Sequence, residues 1–75
     1  MITIKANLLK GKRALNGLTQ KNIAEMIGVS EKTYNHKEAG KIKFKVDEII
    51  LLSSVFNLNI SEINKIFFNN KLPNV

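Results

Sequence analysis

Apolar positions along this chain fall into short blocks with helical rather than alternating spacing, separated by polar or glycine-containing breaks. Leu8, Leu9 and Leu15 mark a first helix, with Asn7 as its expected N-cap and Asn16 near its end. Gly11 weakens that helix by about 1 kcal/mol relative to alanine, and Gly17 is placed to terminate it. Ile23, Ala24 and Ile27 lie on one face of a second helix, Gln20 to Ile27, capped by Thr19. Gly28 follows as a turn residue with a positive φ expected, Val29 plugs the core beneath it, and Ser30 caps a third helix from Glu31 to about Glu38. Glu31 lies in the first turn of that helix, where the dipole favours an acid, and Gly40 ends it. Ile49, Ile50, Leu52, Val55 and Phe56 define a fourth helix from Val46 to about Phe56, with Asp47 and Glu48 in its first turn. Asn59 and Glu62 have capping-box spacing for a fifth helix, Ile60 to about Phe68. Between the third and fourth, residues 41–45 alternate lysine with Ile42 and Phe44; a basic loop is preferred to a strand because no partner strand is evident.

The expected fold is therefore all-α: one compact domain of five helices over residues 7–68, with an arm at 1–6 and a tail at 69–75. Ile2 and Ile4 alternate with polar residues and hint at an extended arm, and Pro73 suits a frayed tail. A chain of 75 residues buries only ~60% of its unfolded surface, so helix packing must be efficient. Cysteine is absent and histidine is single, which removes disulfide and zinc staples from the account and fits a reducing compartment. The longest apolar run, Ile49 to Leu52, is far short of a membrane span, and no signal-peptide pattern opens the chain. A soluble cytoplasmic protein is expected, with no membrane partner and no cofactor.

Charge is distributed unevenly. The net charge is +6, yet residues 1–45 carry ten Lys/Arg against three Glu, while residues 46–75 carry two Lys against three acids. A basic front half and a near-neutral back half suggest an anionic partner on one side; the plainer alternative is a solvated surface. No nucleophile–base constellation, glycine-rich phosphate loop or metal-ligand cluster is visible, so an enzyme is not expected.

Two short helices joined at Gly28-Val29-Ser30 form the helix-turn-helix pattern, in which the second helix enters the DNA major groove. Ala24 supplies the small residue that two closely crossing helices need. Around this unit lie Arg13, Gly17-Leu18-Thr19-Gln20, Ile23-Ala24, Ile27-Gly28-Val29-Ser30, Thr33, Lys37, Gly40, Phe44, Glu48-Ile49 and the Ile66-Phe67-Phe68 ending. Taken together, these resemble the lambda repressor/Cro-type (XRE-like) helix-turn-helix family over roughly residues 7–68. The likeness is nearest to small phage repressors, Cro-like regulators and lysogeny-switch modulators of Gram-positive bacteria.

That resemblance implies roles for individual residues. Gln20 would contact a phosphate and steady the third helix, with Lys21 beside it and Ser30 at the helix start. Glu31, Lys32 and His36 occupy groove-facing positions, Asn35 lies next to them, and Lys41 and Lys43, with Lys45, follow in a loop that touches the phosphate backbone. Arg13 and Glu38 match a salt-bridged pair. Independently of the family, Lys32 can donate to guanine and Asn35 can pair with an adenine edge. Glu31 departs from the Gln or Ser common in relatives; it could accept from cytosine N4, repel phosphate, or serve only as a dipole-friendly start. Tyr34 and Lys37 replace the usual aliphatic and larger apolar residues, and Tyr34 is expected to pack inward with its hydroxyl at the rim. Lone His36 is otherwise a solvated helix residue, and of Phe67 and Phe68 one is expected to be exposed.

Two functions follow. One is an operator-binding transcriptional regulator in which lysines and Arg13 of the first helix, with the loop lysines, hold the double-stranded DNA backbone; a homodimer would read two half-sites. The other is an antirepressor or modulator that binds a larger cognate phage repressor. A basic amphipathic membrane-surface peptide ranks last, because the apolar residues suit a common core.

Overall fold

The computed structural model describes residues 5–71. It contains α1 (Ala6–Leu15), α2 (Gln20–Ile27), α3 (Glu31–Glu38), α4 (Val46–Val55) and α5 (Ile60–Phe67), and no strand among the described residues. The extended arm expected from Ile2 and Ile4 lies outside those residues, as does the Pro73 end of the tail.

Local chemistry sets most boundaries. The Thr19 hydroxyl accepts from the Asn22 N–H at 3.0 Å while the Asn22 side chain accepts from the Thr19 N–H at 2.9 Å. Ser30 accepts from the Thr33 N–H at 3.0 Å, and Asn59 and Glu62 complete a reciprocal box at the start of α5. Gly28, at φ 78°, closes α2 in the left-handed conformation, which a side chain would strain.

The start of α1 differs from expectation. Asn7 is not the cap; it lies inside the helix, which begins at Ala6 after Lys5 and has no side-chain cap. A tertiary bond replaces local capping: the Lys5 N–H donates to the Ile66 carbonyl at 2.8 Å, fixing where the chain turns into α1.

The core combines Leu9 from α1, Ile23 and Ala24 from α2, Tyr34 from α3, Ile49 and Leu52 from α4, Phe56, and Ile66 and Phe67 from α5. Every helix thus contributes, as a short chain without staples requires. Phe44, from the loop after α3, stacks edge-on between Tyr34 and Phe67, with centroids 6.2 and 5.3 Å away. Phe67 is buried and Phe68 half-buried, so the adjacent pair divides between the core and its margin and neither ring is fully exposed. No helix among the described residues is long and apolar enough to cross a membrane.

Candidate nucleic-acid interface

The two central helices, α2 and α3, pack most extensively on each other, and their turn is closed by Val29 N–H donating to the Ala24 carbonyl at 3.0 Å. On α3, Glu31, Lys32 and Asn35 are exposed and His36 is half-buried. The intervals 31–35 and 32–36 are one helical turn, so these four residues share one side. Lys21, in the first turn of α2, and Lys41 and Lys43, beyond the end of α3, are also exposed. Each candidate contact residue except Gln20, which is half-buried, and His36 is thus open to a partner. Ser30 is exposed too, but its hydroxyl is engaged as a cap and donates to Thr33 Oγ1 at 2.9 Å.

Beneath this side sits Glu38, with no exposed surface. Its carboxylate accepts from Arg13 Nε at 2.9 Å and Nη2 at 3.2 Å, from Gln20 Nε2 at 3.0 Å, and from the Tyr34 hydroxyl at 2.7 Å. Burial alone raises a carboxyl pKa, but the donors from Arg13, Gln20 and Tyr34 outweigh it and hold Glu38 below the usual glutamate value. The same contact with Glu38 raises the Arg13 pKa, while burial pushes the Tyr34 hydroxyl far up, with help from Glu38. Tyr34 is therefore fully inside, not at the rim: Glu38 offers its hydroxyl a buried acceptor, which solvent would otherwise have supplied.

The hub reaches the surface through Gln20. Its amide donates inward to Glu38, and its oxygen accepts from Asn35 Nδ2 at 3.1 Å. Arg13 Nη1 also donates to the Leu18 carbonyl at 3.0 Å, tying the α1–α2 connection to the same centre. The orientation of Asn35 is thereby set through three helices.

The positive flank is smaller than the charge count implies. Arg13 is committed to Glu38, and Lys12 pairs with Glu62 on α5, so neither is free for phosphate as the sequence suggested. That leaves Lys10, Lys21, Lys41, Lys43 and Lys45 as the exposed cations around α1 to α3 other than Lys32 and Lys5.

At the far end of α3, the His36 carbonyl accepts from the Lys41 N–H at 2.8 Å and the Ile42 N–H at 3.3 Å, with Gly40 at φ 83° allowing the reversal. Lys37, which stands where the family usually has a larger apolar residue, is buried in an ion pair: Nζ lies 2.8 Å from Glu48 Oε1 and 3.1 Å from the Lys43 carbonyl. Nothing in the one-dimensional pattern marked Glu48 as its partner, because helical periodicity does not extend across a loop.

No curated relative matches the chain. The profile of the helix-turn-helix family matches residues 9–63, well over half its length and spanning the capped turn, the Glu38 hub and the loop lysines. With five helices in the lambda-repressor-like arrangement, the chain belongs to the XRE-type helix-turn-helix family, a DNA-binding and non-enzymatic domain type.

Proposed function

We propose that this chain is a transcriptional regulator of the phage repressor or Cro type that reads operator DNA with α3 in the major groove. The observation that carries this reading is the exposed set Glu31, Lys32 and Asn35, with half-buried His36 beside it, flanked by Lys21, Lys41 and Lys43. Lys32 donates to a guanine edge. The Asn35–Gln20 bond uses one of the two N–H groups of the Asn35 amide; the other N–H and the carbonyl oxygen are the pair an adenine edge takes. Gln20, Lys21, Lys41 and Lys43 meet phosphates, which position the helix without reading sequence, while Ser30, its hydroxyl taken up by the cap, fixes the start of α3 at the backbone. Glu31 excludes some base steps and accepts from cytosine N4 at others. The site of action is then the bacterial cytoplasm, at the nucleoid.

A homodimer on a two-fold operator completes this reading. Val46 is 71% exposed and Ile50 65%, and a groove of about 260 Å³ lies between Val46, Ile49, Ile50, Ser53, Ile63 and Phe68. No charged residue lines this groove, which supports pairing of two copies there. The experiment is a fluorescence-anisotropy salt titration on the chain's own promoter region. Steep loss of affinity with salt, at ~0.9 log units per log unit for each phosphate neutralised, and preference over random DNA are expected; a flat salt response or no preference sinks the reading.

The same apolar groove, with an acid on the reading side, favours a second reading: an antirepressor that binds a larger phage repressor. Co-elution with a larger repressor from the same genomic neighbourhood supports that alternative, and two separate peaks at micromolar concentration reject it.

A further inference from the structure

Residues 41–45 carry three exposed lysines, and a buried ion pair holds this loop where an apolar contact would have sufficed for packing. Lys37 is 4% exposed and Glu48 6%. Lys37 Nζ donates to Glu48 Oε1 at 2.8 Å and to the Lys43 carbonyl at 3.1 Å, and it stands 5.8 Å from the Phe44 ring centroid. The same Glu48 oxygen accepts the Lys45 N–H at 2.8 Å. One pair therefore grips the loop backbone twice, at the carbonyl of Lys43 from the α3 side and at the N–H of Lys45 from the α4 side.

Desolvating two charges costs about as much as their attraction returns, and well-packed apolar residues commonly stabilise such a position better. What methionine and leucine cannot do is hold a loop carbonyl and a loop N–H. From this geometry we infer that Lys37 and Glu48 are positioning residues for phosphate binding. They keep the loop in register with α3, so that Lys41 and Lys43 approach the DNA backbone together with the reading side of that helix. The upstream end of the loop is already fixed by the His36 carbonyl, which accepts from Lys41 and Ile42; the ion pair fixes the rest. This role rests on the DNA-binding reading above.

The test uses the double variant Lys37→Met/Glu48→Leu. It removes one positive and one negative charge, so the net charge and the long-range field stay as they are, and no unpaired charge remains buried. Thermal stability equal to or above that of the unaltered chain is expected. Operator affinity at low salt falls roughly tenfold, and the salt slope shrinks by about one to two phosphates at ~0.9 each, while the preferred operator sequence is retained. Amide hydrogen exchange at Lys45 speeds up, a readout independent of DNA. If the folded double variant binds with unaltered affinity and slope, or if Lys45 exchange is unmoved, the positioning role is overturned while the DNA reading stands. If the unaltered chain itself binds without salt dependence, the DNA reading is overturned, and the phosphate part of this role with it.

Discussion

Helices α1, α2 and α3 meet around a carboxylate, whereas α4 and α5 meet around Leu52, Phe56, Ile66 and Phe67. In the first region, four donor groups from three helices converge on Glu38, and bonds of fixed direction determine how the helices cross. In the second region apolar packing, which has little directionality, does the same work, and large aliphatic side chains cluster on the outside at Val46, Ile50 and Ile60, whereas the first region leaves Leu15 exposed at the end of α1 and Met26 on α2. Each half is accordingly suited to a different partner. A region locked by oriented bonds presents a polar side with defined geometry, suited to base edges. A region held by non-directional contact tolerates an uneven apolar exterior, suited to a protein surface.

Removing the centre of either region has the largest effect. Glu38→Leu strands Arg13 and the Tyr34 hydroxyl and is expected to cost about 3 kcal/mol, toward the lower end for a broken buried pair because Arg13 is partly solvated. Leu52→Ala leaves a cavity and costs ~2–5 kcal/mol. Urea denaturation measures both losses. At ~0.05–0.15 kcal/mol per residue, either is a large fraction of the stability of the whole domain.

Acidification separates the two. Glu38 titrates below its ordinary value in the fold, so its stabilising contribution is present above about pH 4.3, the unfolded value, and is lost as pH falls through the folded one. Glu62 is shifted in the same direction, chiefly by Lys12, but sits at the surface where high salt screens it. In high salt, Leu52→Ala should keep a steep acid transition in stability measured from pH 6 downward, an interval set by the ~4.3 reference value. Glu38→Leu should flatten it. Parallel curves for the two variants would deny Glu38 its special place.

Substitutions at the margins of the two regions have smaller effects. Ser30→Ala removes the α3 cap and should lower stability by ~1 kcal/mol, read as a shift in urea midpoint. Ile50→Lys, at a side chain 65% exposed, should change monomer stability by less than ~0.5 kcal/mol. Sedimentation and operator binding should register that substitution instead, through weakened association of two copies.

How legible the sequence was varied with the range of the forces. Thr19, Ser30 and Gly28 act within a few residues of themselves, and the bounds of α2 and α3 follow from them. The Asn59–Glu62 box marked α5 for the same reason. Asn7 misled because any asparagine before an apolar run resembles a cap, whereas the true start of α1 is set by Ile66, distant in sequence. The Arg13–Glu38 pair was legible through family resemblance, but its enlargement by Gln20 and Tyr34 depends on how three helices cross. The commitment of Lys12 to Glu62, and of Lys37 to Glu48, likewise depends on contacts between elements that no periodicity reports. The reading side of α3 was identifiable from helical spacing once the helix start was known.

The bond from Lys5 to Ile66 and the ion pair from Lys12 to Glu62 both join the first helix to the last. In kinetic terms they are loop closures, and they close almost the whole described chain. The α2–α3 contacts, by contrast, lie between neighbours and carry little closure entropy. Folding should thus proceed outward from the turn at Gly28, with α1 and α5 docking last, since distant contacts form only after nearer ones have shortened the path. Unfolding runs the other way. Release of α5 frees one anchor of α1 and leaves the Arg13–Glu38 pair as the other, so α5 and the start of α1 should exchange their amide hydrogens together while the turn between α2 and α3 outlasts them.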